Sequence, residues 1–164
     1  MTPRVRQACD ADLPAIRACD TAEGHQNEEH VAFLQRALAS GGCFVAADAE
    51  DVLSGYAVLE YTFFANGFLS LLFVAPDHRR KGVGAALLRY AQSVCQTPKL
   101  FTSTNLSNLP MQALLAKSGY ALSGVIHNLD ENDPELVYFK PVSNDECRAW
   151  YDGDLHGQLT QGKE

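Results

Sequence analysis

The amino-acid sequence predicts one α/β domain of about seven strands and four helices in the order βααβββαβαββ. Three observations support this prediction. Apolar, β-branched runs alternate with amphipathic helical patterns, two turn signals join strands into hairpins, and one apolar strand leads through a glycine-rich turn into a helix. A chain of 164 residues with 46% hydrophobic content is long enough for one well-buried core and short for two.

The first three elements follow from spacing and from helix start and stop signals. Residues 4–9 read as a strand, and Asp10 marks the start of a loosely periodic helix. A stronger helix is predicted at residues 30–39, where apolar side chains recur on one face. Gly41 and Gly42 end this helix, because glycine readily adopts the left-handed conformation that closes a helix.

Three strands are predicted next. The apolar run 43–47 is the first, and the long aromatic and β-branched run 52–64 is the second. The dipeptide Asn66-Gly67 is a strong hairpin signal, so the third strand, residues 68–75, should pair antiparallel with the second. Its almost continuous apolar character predicts a central strand that is covered on both faces.

The second half alternates helices and strands and then closes with a hairpin. An amphipathic helix is predicted at residues 83–95 and a short strand at 100–104. The next helix is predicted at residues 110–118, because a proline is tolerated in its first turn and a glycine ends it. The last strands, 120–127 and 136–140, are joined by an acidic turn and should form the second antiparallel pair.

Composition argues against several classes of function. The net charge of −7 opposes attraction to nucleic acid or to anionic membranes. No apolar stretch is long enough to span a bilayer, and no signal-peptide pattern opens the chain. We therefore expect a cytoplasmic protein that acts on a small cationic or neutral partner. Scattered cysteines predict buried, reduced thiols rather than a metal site, and they are Cys9, Cys19, Cys43, Cys95 and Cys147.

The most informative stretch lies between the predicted strand 68–75 and the predicted helix 83–95. A glycine-rich turn at a helix start leaves backbone amides pointing outward at the positive end of the helix dipole, which is a favourable site for pyrophosphate. A basic run adds charge-assisted contacts. Neither the P-loop nor the Rossmann glycine pattern is present. The stretch reads Arg79, Arg80, Lys81, Gly82, Val83, Gly84 and Ala85.

This stretch resembles the signature (Q/R)xxGx(G/A) of the GNAT acetyltransferase superfamily, matched by Arg79, Gly82 and Gly84 between a strand and a helix. A second segment, from Asn108 to Tyr120, resembles the family's NxxA…GF motif. The resemblance covers about residues 3 to 142. It implies a mixed, mostly antiparallel sheet with a splay between strands 4 and 5 and helices on both faces. Residues 1–142 would form the domain, and residues 143–164 an extension with a short helix and a frayed tail.

The resemblance also implies acetyl-CoA as co-substrate and a set of residues that contact it, without a metal. The amides of Leu72, Phe73 and Val74 would pair with the pantetheine arm as an added strand would. Asn108 would contact the same arm, or would merely cap its helix. The pyrophosphate would be held by the basic run and by the amides of the turn, which together comprise Arg79, Arg80, Lys81, Gly82, Val83, Gly84 and Ala85.

The acid–base groups of the family are not in their usual places. Two positions that carry a glutamate base in some members hold Phe68 and Ser103, and the position of a common tyrosine acid holds Leu115. Glu60 and His127 remain as candidate catalytic residues, although both also fit ordinary solvent-facing positions. The resemblance thus implies direct acetyl transfer to a primary amine of a small molecule or peptide. A catalytically silent acyl-CoA sensor or interaction module is the alternative.

Two further features bear on partners. The final strand looks exposed and could pair with a second copy, so that the protein would be a monomer or a homodimer. An acidic and histidine-rich run lies between the first two helices, where the superfamily commonly admits the acceptor. It is either an attractant for a cationic amine or a solvated connector, and it comprises Asp20, Glu23, His25, Glu28, Glu29 and His30.

Overall fold

The computed structural model describes residues 3–21 and 27–142, and it confirms every predicted strand and helix in this part of the chain. The predicted extension, residues 143–164, lies outside the described residues. The strands are β1 (Arg4–Gln7), β2 (Cys43–Ala47), β3 (Leu53–Phe63), β4 (Asn66–Val74), β5 (Lys99–Asn105), β6 (Ala121–Ile126) and β7 (Glu135–Pro141). The helices are α1 (Leu13–Thr21), α2 (Glu28–Ala39), α3 (Val83–Val94) and α4 (Leu109–Lys117).

The strands form one sheet in the order β1-β2-β3-β4-β5-β7-β6. Every pairing is antiparallel except that between β4 and β5. The last strand inserts between β5 and β6, so the expectation that the final strand forms an exposed edge is wrong. Strand β6 is the edge instead, and its exposed side chains include Leu122 and Val125.

The parallel pair opens partway along its length, as the resemblance implied. Strand β4 pairs with β5 only from Gly67 to Leu69, where Thr102 Oγ1 donates a hydrogen bond to the Leu69 carbonyl at 2.9 Å. The register between β3 and β4 shifts at the same point, with Ser70 as the extra residue of a bulge. Beyond the bulge, no strand of the described residues pairs with β4 on this side, and β4 is only half-buried as far as Val74. The prediction of a central strand covered on both faces is confirmed, although its side chains beyond the bulge are half-buried rather than buried.

Two apolar layers sandwich the sheet. Helix α3 packs on one face through Leu87 and Leu88, which are fully buried. On the other face, α1 and α2 pack through Ile16 and Leu34, both also fully buried. Because successive side chains of a strand point to opposite faces, β4 contributes Leu72 and Val74 to the first layer and Leu71 and Phe73 to the second.

The β3–β4 hairpin turns two residues earlier than its sequence signal predicted. Phe64 and Ala65 occupy the turn with φ of 49° and 58°, and Asn66 already pairs with Phe63. Gly67 is required for packing instead, because a Cβ at this position would lie 2.6 Å from Cys95 Sγ. The glycine of the dipeptide therefore serves the contact between β4 and the end of α3 rather than the turn.

None of the four cysteines in the described residues forms a disulfide. Cys43 and Cys95 are buried as predicted, but Cys9 is exposed and Cys19 half-buried, so the prediction of uniform burial is wrong. The remaining cysteine lies outside the described residues. None of the helices in the described part of the chain has the length and apolar character to cross a membrane.

An ion pair joins β1 to the start of α1 and makes stability depend on pH. Arg6 donates to both carboxylate oxygens of Asp12, at 2.7 and 2.8 Å, and the Cys9 amide donates to the same carboxylate at 2.8 Å. These hydrogen bonds, that of Arg6 foremost, lower the pKa of Asp12 to about 2. A lowered folded-state pKa adds stability above the unfolded-state pKa of about 4, and that stability is lost as the pH falls through the folded value.

We therefore expect the free energy of unfolding to gain about 2 kcal/mol from Asp12 at neutral pH and to lose it between about pH 4 and pH 2. Denaturant unfolding across this pH range measures the effect. The variant Asp12→Asn should be less stable at pH 7 and should lack this part of the pH dependence. If the two proteins have parallel pH profiles, the pair does not contribute as described.

Candidate active site

A cleft of about 540 Å³ lies at the carboxyl end of β4, between the turn that precedes α3 and one side of α4. Ten of the eleven residues predicted to contact the cofactor line it, namely Leu72, Phe73, Val74, Arg79, Arg80, Gly82, Val83, Gly84, Ala85 and Asn108. Lys81, the eleventh, is exposed and is not among the lining residues. The splayed strand and the glycine turn thus share one cavity.

The turn before α3 presents an uninterrupted row of backbone donors. No amide from Arg80 to Ala85 makes a well-aligned hydrogen bond to a backbone carbonyl of the described residues, and the first helical hydrogen bond runs from Ala86 to Gly82. Gly82 caps the helix with φ of 86°, and Arg80 also has a positive φ, of 61°. These amides lie at the positive end of the α3 dipole, so the turn is suited to an anion.

The edge of β4 contributes donors to the same cleft. The Ala75 amide donates to the Ser54 carbonyl of β3, and hydrogen bonding alternates along an antiparallel strand. The amides of Leu72 and Val74 therefore face the splay rather than β3. The Val74 carbonyl, on this side too, accepts a hydrogen bond from Arg79 Nε at 3.0 Å. Arg79 thereby ties the turn to the strand end.

The two glycines of the signature have different structural roles. A Cβ at Gly82 would meet no atom within 4 Å, so only its positive φ and the open cleft restrict this position. A Cβ at Gly84 would lie 2.9 Å from Leu114 Cδ2, so this glycine sets the close approach of α3 and α4. A Cβ therefore fits among the surrounding atoms at Gly82, whereas at Gly84 it would press on α4.

Asn108 lies at the cleft and also caps α4. Its Oδ1 accepts a hydrogen bond from the Met111 amide at 3.2 Å. The capping interpretation is thus correct, yet it does not exclude ligand contact. Capping uses the side-chain oxygen and leaves the Nδ2 donor with no hydrogen-bond partner among the described residues.

Helix α4 supplies cleft residues that the sequence analysis missed. Met111 and Leu114 have the spacing of a buried helical stripe, but both are half-buried and line the cleft. Lys117, one turn further on, adds a positive charge to the lining. The helical spacing of these three residues was visible in the sequence, but only the structure shows that this face covers a cavity as well as the core.

The three departures from the family pattern fit their local surroundings. Phe68 pairs with Phe101 where β4 and β5 are still joined, and its ring stacks on Phe63 with centroids 4.8 Å apart. Ser103 is half-buried in β5 opposite Val137. Leu115 is fully buried in the core beneath α4 and does not line the cleft. The polar group of the family pattern is thus replaced by a hydrophobic contact at Phe68 and by a core side chain at Leu115.

The structure does not bring Glu60 or His127 into the cleft lining. Glu60 is half-buried and borders another cavity, of about 480 Å³, with Arg36 and Gln96. His127 is exposed at the end of β6, in a pocket formed by the hairpin that follows it. A catalytic role for either residue stays a prediction.

The hairpin after β6 is fastened to the connection between β5 and α4. Asp133 accepts hydrogen bonds from the amide and the hydroxyl of Ser107, at 2.9 and 2.6 Å, and Asp130 accepts one from Asn105 Nδ2 at 2.7 Å. The sequence predicted an acidic turn here. In the structure, two of its carboxylates bind the loop that leads into Asn108.

Part of the acidic and histidine-rich run lies at the start of α2. Glu28 and Glu29 are exposed on its first turn, and His30 is half-buried. The His30 Nε2 atom lies 3.4 Å from the Tyr56 hydroxyl of β3. Glu23 and His25 lie outside the described residues, as does the side chain of Asp20.

Comparison with known proteins places these features in one family. The model of the acetyltransferase (GNAT) family matches residues 11–120. A GNAT-family acetyltransferase from Bacillus cereus is 32% identical, with a TM-score of 0.82, and the match covers 88% of this chain and all of that one. A comparison with curated protein sequences gives no match.

More distant structures share the fold. The ribosomal-protein-S18-alanine N-acetyltransferase of Escherichia coli is 18% identical, with a TM-score of 0.68 over 87% of this chain and 96% of that one. Naa20 of Chaetomium thermophilum is 20% identical, with a TM-score of 0.70 over 88% and 90%. Because the family model spans most of the chain and the Bacillus cereus structure aligns along its full length, the chain belongs to the GNAT family of acetyltransferases.

Proposed function

We propose that this enzyme binds acetyl-CoA in the cleft at the end of β4 and transfers the acetyl group directly to a primary amine of a small molecule or peptide. The single observation that carries the proposal is the continuous row of amides from Arg80 to Ala85, which have no well-aligned acceptor among the described residues and lead on to the splayed edge of β4. A ligand with a pyrophosphate followed by an extended, amide-bearing arm needs hydrogen-bond donors in this spatial order.

The residues present suit such a ligand in both shape and charge. Gly82 leaves open space where a side chain would stand between the amides and an anion. Arg79, Arg80 and Lys117 line the same cleft in a protein of net charge −7. Positive charge concentrated at the turn favours a phosphate-bearing ligand there over other parts of the surface.

Acetyl-CoA supplies an activated acyl group, and the protein supplies position and electrostatics. An arm anchored by its phosphates at the turn and running along the free edge of β4 would end near the bulge at Ser70, where β5 rejoins the sheet. The Leu72 amide faces this space and is suited to stabilise a developing oxyanion, since preorganised donors act strongly in a site with little water.

Two measurements test the proposal. Calorimetric titration with acetyl-CoA should show saturable binding, and a thiol-release assay with a panel of small-molecule and peptide amines should show coenzyme A release above the rate in buffer alone. Binding without release for any amine would favour the silent acyl-CoA sensor. Absence of binding at millimolar acetyl-CoA would overturn the proposed site.

A further inference from the structure

A second cavity, of about 480 Å³, lies at the other end of the sheet from the cleft, and we refer to it as the distal cavity. The cleft adjoins the start of α3, whereas the distal cavity adjoins its end through Tyr90 and Val94. Helix α3 has 12 residues and is therefore about 18 Å long. The two cavities share no described lining residue, so the distal cavity can hold a ligand of its own.

The distal cavity forms where β3 continues beyond the start of β2. The Leu59 amide donates to the Gly42 carbonyl at 2.8 Å, and beyond this bond no strand of the described residues pairs with β3 on this side. The turn from α2 into β2 borders the resulting notch with Gly41 and Gly42, which have no side chains to fill it. A Cβ at Gly42 would collide with the Leu59 carbonyl oxygen, so the turn and the strand are held in close contact.

The floor of the distal cavity is apolar. The rings of Phe44 and Tyr90 meet there roughly edge to face, with centroids 5.1 Å apart. Leu59 also lines the cavity, and like Phe44 it belongs to the buried core beneath α3. A ligand of this cavity therefore needs an apolar part that can lie against these side chains.

The charged residues of the distal cavity are one of each sign. Of the described residues that line it, only Arg36 and Glu60 carry a charge. Arg36 is exposed on the last turn of α2, and Glu60 is half-buried on β3. Neither side chain forms an ion pair or a hydrogen bond with a described residue, and the two do not pair with each other.

This arrangement favours a ligand that carries both charges. A half-buried carboxylate without a partner has lost part of its hydration, and an ammonium group beside Glu60 would offset that loss. The planar guanidinium of Arg36 matches the geometry of a carboxylate. An amine alone would leave Arg36 without an anion, and an anion alone would leave Glu60 unpaired.

We propose that the distal cavity binds a small zwitterion, namely an α-amino acid with an apolar side chain. Arg36 donates hydrogen bonds to the carboxylate, Glu60 accepts them from the ammonium group, and the apolar side chain lies against Phe44 and Tyr90. This site goes beyond the proposed function and does not depend on it, because it lies apart from the cleft.

Two-dimensional NMR titration with L-leucine and L-phenylalanine tests the proposal, since it follows weak binding and also locates it. The amides of Gly41 and Gly42 report on the distal cavity, and those of Gly82 and Gly84 report on the cleft. Both amino acids should cause saturable shifts at the first pair of glycines.

Two variants and two leucine derivatives separate the contributions of the charges. Arg36→Gln should weaken leucine binding about tenfold or more, the value of one charge-assisted hydrogen bond. The same variant should not change the binding of leucinamide, which lacks the carboxylate. Glu60→Gln should weaken leucine binding to a similar extent, but not the binding of N-acetylleucine, which lacks the ammonium group.

Arg89→Gln and Glu50→Gln are the matched controls, because both residues are exposed and line neither cavity. Both controls should bind leucine as the wild type does, and acetyl-CoA should not displace it. Absence of saturable shifts at Gly41 and Gly42, shifts confined to the glycines of the cleft, or equal losses for leucine and leucinamide in Arg36→Gln would overturn the proposal and leave the proposed function standing. A protein that binds leucine in the distal cavity but no acetyl-CoA would overturn the proposed function alone.

Discussion

The variant Gly82→Leu should bind acetyl-CoA at least about 100-fold more weakly than the wild type, because it places a side chain between the amides of the turn and the pyrophosphate. Charge-assisted hydrogen bonds contribute about 1.5 to 3 kcal/mol each, so the loss of two accounts for this factor. The Cβ itself meets no protein atom within 4 Å, which confines the damage to the cleft and to the strain of φ at 86°. Isothermal titration calorimetry measures the affinity.

Gly119→Leu is the matched control for backbone strain. Gly119 also has a positive φ, of 78°, and a Cβ there has ordinary contacts no closer than 3.7 Å. It ends α4 and does not line the cleft. Both variants should lose similar stability, of about 1 kcal/mol, from forcing a side chain into the left-handed region. If the two variants also lose acetyl-CoA affinity equally, strain and not the blocked amides is responsible.

Local sequence patterns were sufficient to predict the strands and helices, but not which strands lie side by side in the sheet. The strand Cys43–Ala47 was predicted at its observed bounds, since a short apolar run between two glycines and a polar turn leaves little choice. The position of β7 between β5 and β6 was not predicted, because strand order depends on contacts between distant parts of the chain. The partial exposure of β4 has the same cause: its apolar side chains pack on the core on both faces, and no local pattern shows that its pairing with β5 ends at Leu69.

The same distinction between local and distant contacts applies to the candidate site. The turn from Arg79 to Ala85 could be predicted because its function depends on consecutive amides, which local sequence specifies. The contribution of α4 was missed, since a half-buried apolar side chain such as Leu114 reads as core in a helical pattern. The contact between His30 and Tyr56 joins residues 26 positions apart in sequence on different elements, and no local pattern indicates it.

Gly55→Val should cause the largest loss of stability among the variants considered. Gly55 is buried in β3 opposite Val74, and a Cβ there would lie 2.5 Å from the Phe73 carbonyl oxygen and 3.2 Å from Val83 Cγ1. A backbone oxygen cannot rotate away as a side chain can, so β3 and β4 must separate. Overpacking of this kind costs up to about 3 kcal/mol, which corresponds to a fall in Tm of about 6 to 12 °C for a chain of this size.

Thermal and denaturant unfolding measure this loss, and Gly124→Val in the edge strand β6 is the control. Gly124 has open space at its Cβ position and no positive φ, so a β-branched residue there should be neutral or slightly stabilising. Because Gly55 faces the strand end that presents Phe73 and Val74 to the cleft, Gly55→Val should also weaken acetyl-CoA binding at temperatures where it remains folded. A variant within about 1 kcal/mol of the wild type would mean that β3 and β4 adjust at this point, and the free edge of β4 would then be less rigid than a preorganised donor array requires.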